Sequence, residues 1–168
     1  KQINRTHHIL KDFNKPVYSE ELFEAYEHLR TVYEINQKNP ESHYKTTGPE
    51  LWEQTDGQID CFVCGIGTGG TITGTAKFLK EKNPKIKVIG ADIKGSILGE
   101  YFYTKKFTPT FKTYKVEGIG QDFLPGALDF QYIDDILEAD DKESFYWARR
   151  LTREEGIFIG GSGGTALA

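Results

Sequence analysis

Five glycines fall within ten residues, Gly65 to Gly74 (GIGTGGTITG), between an apolar run at residues 59–65 and a helix-forming run at residues 73–82 that Asn83-Pro84 closes. A second apolar run, KVIGA at residues 87–91, follows. Strand, glycine loop, helix and strand in some thirty residues make a βαβ unit, and such units imply a parallel sheet with helices on its faces. Glycines let successive backbone N–H groups converge with no side chain in the way, and the helix N-terminus adds partial positive charge, so the loop suits a phosphate. Thr68, Thr71 and Thr73 add hydroxyl donors. The plain alternative is a tight strand-to-helix connection that needs glycine only for packing.

Composition narrows the classes. With 38% apolar and 27% charged residues and a net charge of −4, the 168-residue chain reads as soluble and globular rather than disordered. Twenty-one basic against 25 acidic residues, with no long block of either sign, leave no footprint for nucleic acid. The longest stretch free of Asp, Glu, Lys and Arg, residues 61–76, is Gly/Thr-rich and short of the ~20 apolar residues a membrane span needs. Two cysteines build no disulfide framework and no secretory leader opens the chain, so a cytoplasmic setting is expected. The absence of methionine, and the final GGSGGTALA, lead us to expect an excerpt or a processed product whose last element is cut off.

Along the rest of the chain, Leu22, Tyr26, Leu29 and Tyr33 recur at helical spacing over residues 19–35, with Ser19 as N-cap, and residues 38–40 stop that helix. Thr47-Gly48-Pro49-Glu50 signals a second, short helix through a capping box, ended by Gly57. Residues 95–113 read as irregular. A short strand is expected near 114–116, a turn-rich stretch follows, then a helix over 142–155 capped by Asp140 with Glu143, and a last strand at 157–159.

Which phosphate ligand the loop takes stays open on local pattern alone. Gly65-x-Gly67-x-x-Gly70 satisfies the dinucleotide fingerprint, and Asp92 closes the next strand at the spacing of a ribose-binding acid, so a nicotinamide site is one reading. A nucleoside-triphosphate loop lacks its Gly-Lys-Ser/Thr ending. Cys61-x-x-Cys64 has metal or redox spacing, but a strand sends positions three apart to opposite faces, so two core thiols and no metal are expected. His7-His8, His28 and His43 have no partner motif.

Three runs in order, GTGGTITG (67–74), VEGIGQDFLP (116–125) and EEGIFIGGSGG (154–164), closely resemble the pyridoxal-phosphate-dependent cystathionine β-synthase and cysteine synthase family, in its cystathionine β-synthase branch. The likeness takes in NPESHYKTT (39–47), KVIGADIKGSIL (87–98) and, weakly, Arg5-Thr6. It implies a three-layer α/β sandwich with a mostly parallel sheet, the tryptophan synthase β-subunit-like fold of type II pyridoxal-phosphate enzymes. The chain would be part of that catalytic core, mainly its cofactor-phosphate subdomain. It further implies that Gly67, Thr68, Gly69, Gly70 and Thr71 hold the phosphate of pyridoxal 5'-phosphate and that Ser162 hydrogen-bonds the pyridine nitrogen. A neutral hydroxyl there leaves the ring a weaker electron sink, a bias the family is taken to use for β-elimination. Glu117, Gly118 and Gly120 match the loop beside cofactor and substrate.

The implied reaction condenses serine or cysteine with homocysteine to cystathionine, a transsulfuration step, with hydrogen sulfide release from cysteine as a related outcome; a cytoplasmic homodimer is implied as well. The sequence departs from the family pattern at Ile93-Lys94, Gln121 and Gly163-Gly164. It also has no counterpart of the Ser-x-Lys-Asp/Asn-Arg stretch that carries the Schiff-base lysine: Lys11-Asp12 lacks the serine before and the arginine after, so the catalytic residue is left unassigned. Either the chain begins downstream of that lysine, or it is an inactive module of this type that packs on an active partner.

Overall fold

Three short strands, β1 (Cys61–Gly65), β2 (Lys87–Ile93) and β3 (Asp135–Ala139), lie side by side in that order, all parallel. The structure, a computed structural model, describes residues 36–106 and 112–168, all within one unit of the chain, Glu34–Ala168. The helix expected over 19–35, and with it Lys11, His7, His8 and His28, lies outside the described residues. Six helices accompany the strands among the described residues: α1 (Lys38–Lys45), α2 (Thr47–Gln54), α3 (Gly70–Lys82), α4 (Leu98–Thr104), α5 (Asp141–Glu155) and α6 (Gly161–Leu167).

Strand alternation assigns the two faces. Phe62, Cys64, Val88 and Ile136 point to one side and pack with Ile72 and Ala76 of α3, Leu98 of α4 and the connecting residues Ile66, Leu128 and Ile133. On the other side Val63, Ala91, Leu137 and Ala139 share a shallow cleft of about 390 Å³ with Thr165 and Ala166 of α6. Helices thus cover a parallel sheet from both sides, the mixed α/β fold that the pattern implied. The second face is less filled: Val63 is 46% and Leu137 59% exposed. A smaller apolar cluster, Ile93, Val116 and Ile119 with Tyr114 and Phe145, closes the carboxyl end of β2.

Several local expectations are corrected. No strand forms at 114–116, because the Asp141 carboxylate accepts the N–H groups of Lys115 (2.8 Å) and Val116 (3.1 Å) that a ladder would need. Residues 157–159 run beside no strand among the described residues, and Ile157 and Phe158 are exposed. The sheet's third member is instead β3, and α4 lies within the stretch read as irregular. Residues 38–40 open a helix rather than only ending one; Pro40 sits in its first turn, where a missing N–H costs nothing. The Thr47 capping box does not form: Thr46 is the N-cap of α2, and the Thr47 hydroxyl faces His43. Cys61 is exposed and only Cys64 packs into the core, where burial pushes its thiol up to about 11.

Candidate active site

The loop that leaves the carboxyl end of β1 is shaped by what surrounds it. Gly69 adopts φ +82°, the left-handed region, and a Cβ there would collide with Leu128. That turn starts α3 at Gly70, three residues before the expected start. None of the backbone N–H groups from Gly67 to Ile72 has an acceptor among the described residues, and a helix's first turn leaves its donors free by construction. Together they form a run of donors at the positive end of a 13-residue helix, suited to a phosphate dianion.

Behind this row lies α1. Gly70 and Gly74 are one turn apart on α3, and a Cβ on either would run into α1, at Asn39 for Gly70 and at the Pro40 carbonyl for Gly74. The close approach puts Asn39 Nδ2 3.1 Å from Thr68 Oγ1 and His43 Nε2 3.1 Å from Thr71 Oγ1. On its other edge, His43 Nδ1 lies 2.8 Å from Thr47 Oγ1. These two residues escaped the sequence reading as site elements, although NPESHYKTT was already part of the family likeness.

The second run reaches the loop from the side. The Gly120 N–H donates to the Ile66 carbonyl at 2.8 Å, and a Cβ on Gly67 would meet the Gly118 carbonyl oxygen at 3.1 Å. Ser96 holds that segment through its neighbour: its hydroxyl accepts the Gln121 N–H (3.0 Å) and donates to the Gln121 carbonyl (3.2 Å), while the Ile97 N–H donates to the same carbonyl. Gln121, a departure from the family pattern, therefore works here through its backbone. Gly118 and Gly120 have φ +82° and +77°, and Glu117 and Gly118 are exposed at the opening.

The third run closes the arrangement. Ser162 sits in the first turn of α6, half-buried, and a Cβ on Gly118 would lie 4.0 Å from its Oγ. Residues 67, 118 and 162, far apart in sequence, thus come together at the carboxyl end of β1, where open parallel sheets bind ligands.

Comparison with known proteins gives the family. The family model for pyridoxal-phosphate dependent enzymes matches residues 8–168. The chain belongs to that family. Among relatives, cystathionine β-synthase of Dictyostelium discoideum is 49% identical over 132 residues, 79% of this chain and 26% of that protein. Cystathionine β-synthase of Mus musculus is 47% identical over 79% of this chain and 23% of its own length, and cysteine synthase A of Salmonella typhi 41% identical over 79% and 42%. The chain spans about a quarter of the length of the first two, and pyridoxal phosphate is the cofactor of the family.

Within this pyridoxal-phosphate family frame, two expected contributors have other work. Thr73 is buried, and its hydroxyl accepts the Asp129 N–H at 2.9 Å, tying α3 to the 126–129 loop rather than facing the donor row. Asp92 is fully buried and accepts the N–H groups of Ile93 and Gly99, so it is closed to a ribose hydroxyl, and the nicotinamide reading loses its acid. Among the described residues no group of three or more His, Cys, Asp or Glu side chains could hold a metal, and no helix is long and apolar enough to cross a membrane.

Proposed function

We propose that the protein is a β-replacement lyase of cystathionine β-synthase type, with the cofactor phosphate on Gly67, Thr68, Gly69, Gly70 and Thr71, the Ser162 hydroxyl beside the pyridine nitrogen, and Glu117, Gly118 and Gly120 on the substrate side. The observation that carries the reading is the meeting of residues 67, 118 and 162 beside a run of amide donors that have no acceptor among the described residues. The residues fit the group: a phosphate satisfies N–H groups that have no acceptor among the described residues, and the glycines keep side chains out of the row. When bound, the cofactor supplies the electron sink for breaking a bond at the substrate's β-carbon. The chain's own residues hold the phosphate and leave the ring nitrogen without a carboxylate to keep it protonated.

Serine or cysteine with homocysteine are the substrates we infer, giving cystathionine, with hydrogen sulfide as the product when cysteine loses its thiol. The names of the relatives support this class; one, from Bacillus subtilis, is an O-acetylserine dependent cystathionine β-synthase, 43% identical over 79% of this chain. A homodimer, and a larger catalytic core of which residues 1–168 form mainly the cofactor-phosphate subdomain, belong to the same proposal and rest on the family likeness; the cytoplasmic setting we infer rests on cysteine usage.

The test is to titrate the purified protein with pyridoxal phosphate, follow its visible absorbance, then supply serine and homocysteine and look for cystathionine by mass spectrometry. Binding and product support the proposal, whereas failure to bind overturns it. Binding without product favours a second reading, an inactive module of this type that packs on an active partner.

A further inference from the structure

We propose that α1 is a positioning layer for the phosphate loop, in which Asn39 and His43, one helical turn apart, each donate to a loop threonine oxygen and so turn that threonine's proton toward the bound anion. The inference rests on the reading of residues 67–71 as the phosphate cradle and goes beyond it, since neither residue touches the ligand.

The argument is one of hydrogen-bond direction. A threonine hydroxyl has one proton and two lone pairs, so it donates to a phosphate only if its proton is not already spent on a neighbour. The Asn39 amide can only give a proton from Nδ2, so the 3.1 Å contact with Thr68 Oγ1 consumes a lone pair and spares the proton. For His43 the order is set from the far side. A neutral imidazole has one N–H and one bare nitrogen, and which is which follows the partner of the other edge. Thr47 Oγ1, 2.8 Å from Nδ1, carries a proton to give; with Nδ1 accepting, the N–H sits on Nε2 and points to Thr71 Oγ1 at 3.1 Å. Thr47, His43 and Thr71 then form a one-way chain whose last proton is free for the ligand. The small residues of α3 make this possible: with side chains at 70 and 74, α1 could not come close enough to reach either threonine.

The opposite arrangement, Thr71 giving its proton to Nε2, has a different consequence. The hydroxyl would then be withdrawn from the ligand, and removing the imidazole would improve binding.

Binding of pyridoxal phosphate, by its absorbance change, and of inorganic phosphate, by calorimetry, is measured for the protein and for His43→Asn, His43→Gln, Thr47→Val, Thr71→Val and the His43→Asn/Thr71→Val pair. Unfolding of each unliganded variant is recorded so that any unfolded fraction is divided out. Loss of a hydrogen bond to a charged group predicts that Thr71→Val weakens both ligands about tenfold. His43→Asn, which keeps a group near Nδ1 but none at Nε2, is expected to do nearly the same, and the pair no more than either alone. His43→Gln, whose amide can stand at the Nε2 position, is expected to stay within about twofold of the parent. Thr47→Val, remote from the ligand, is expected to weaken binding about threefold and keeps the test open should His43→Asn fail to fold.

A purely structural His43 would instead give losses that add to those of Thr71→Val, and no rescue by glutamine; either result, or tighter binding by His43→Asn, overturns the inference and leaves the phosphate cradle standing. Unchanged phosphate binding by Thr71→Val overturns the cradle reading and the inference with it.

Discussion

Three residues show how local chemistry sets limits on this fold. Gly69 combines a left-handed φ of +82° with a neighbour, Leu128, in the space a side chain would take, whereas Gly156, which ends α5 at φ +70°, faces open space. Left-handed strain alone costs about 1–2 kcal/mol, which is the loss expected for Gly156→Ala. Gly69→Ala is expected to lose that and about 1–3 kcal/mol more from overpacking, and to weaken phosphate binding, which urea titrations with and without inorganic phosphate will read. Asp92 makes a different point. Its two backbone hydrogen bonds favour the charged form, yet loss of hydration outweighs them and pushes the carboxyl up to about 6. Between the unfolded value near 3.9 and that figure the folded chain keeps a proton that the unfolded chain has released. Stability from this residue is therefore complete below the unfolded value and lost as pH rises through about 6. Asp92→Asn is expected to remove about 2 kcal/mol of the difference in unfolding free energy between pH 4.5 and pH 7. An unchanged pH slope in that variant would show that the carboxyl titrates normally.

Elements were legible where the signal was local. The Asp140/Glu143 capping box could be read from four residues and is present in both halves, Glu143 N–H to Asp140 Oδ1 at 2.9 Å and Asp140 N–H to Glu143 Oε2 at 2.9 Å. Asp140→Ala is accordingly expected to cost about 1 kcal/mol, seen as a lower midpoint in chemical denaturation. The glycine loop and its helix were legible for the same reason, since turn, donors and helix start all lie within one stretch. What failed depended on distant neighbours. Residues 114–116 have a strand-like composition, but their amides are taken by Asp141, a residue whose reach no local pattern reveals. DILEA, the actual third strand, has acids at two of five positions and a half-exposed face, and only its register against β2 makes it a strand. Thr47 had the right spacing for a cap, but its hydroxyl meets a histidine on the preceding helix and Thr46 is the N-cap. At the site, Thr68 and Thr71 lie in the loop that the glycine pattern marked, while the turning of the Thr73 hydroxyl toward Asp129 and the buttress from α1 were set by packing across elements.

At the scale of the whole molecule, the claim that separates one site from three unrelated loops is cooperative ligation. The amides of residues 67–72 have no acceptor among the described residues, and Gly67, Thr68 and Thr71 are not buried, so these three exchange with solvent hydrogen most readily, while the Gly120 amide is already held by the Ile66 carbonyl. Ligand binding also slows every amide that exchanges through global unfolding, by a factor that grows as 1 + [L]/Kd, and β2 provides that baseline. Inorganic phosphate, small enough to touch only the donor row, is expected to protect residues 67–72 beyond the baseline and leave residues 116–121 and 160–164 on it. Pyridoxal phosphate, whose ring extends past Gly118 toward Ser162 in the proposed mode, is expected to protect all three stretches together. Mass-resolved hydrogen exchange at matched saturation of the two ligands distinguishes the cases, because the extra protection must come from the ring rather than from the phosphate. Protection confined to residues 67–72 with both ligands would mean that the loop holds an anion while the meeting of the other two runs around it serves packing alone.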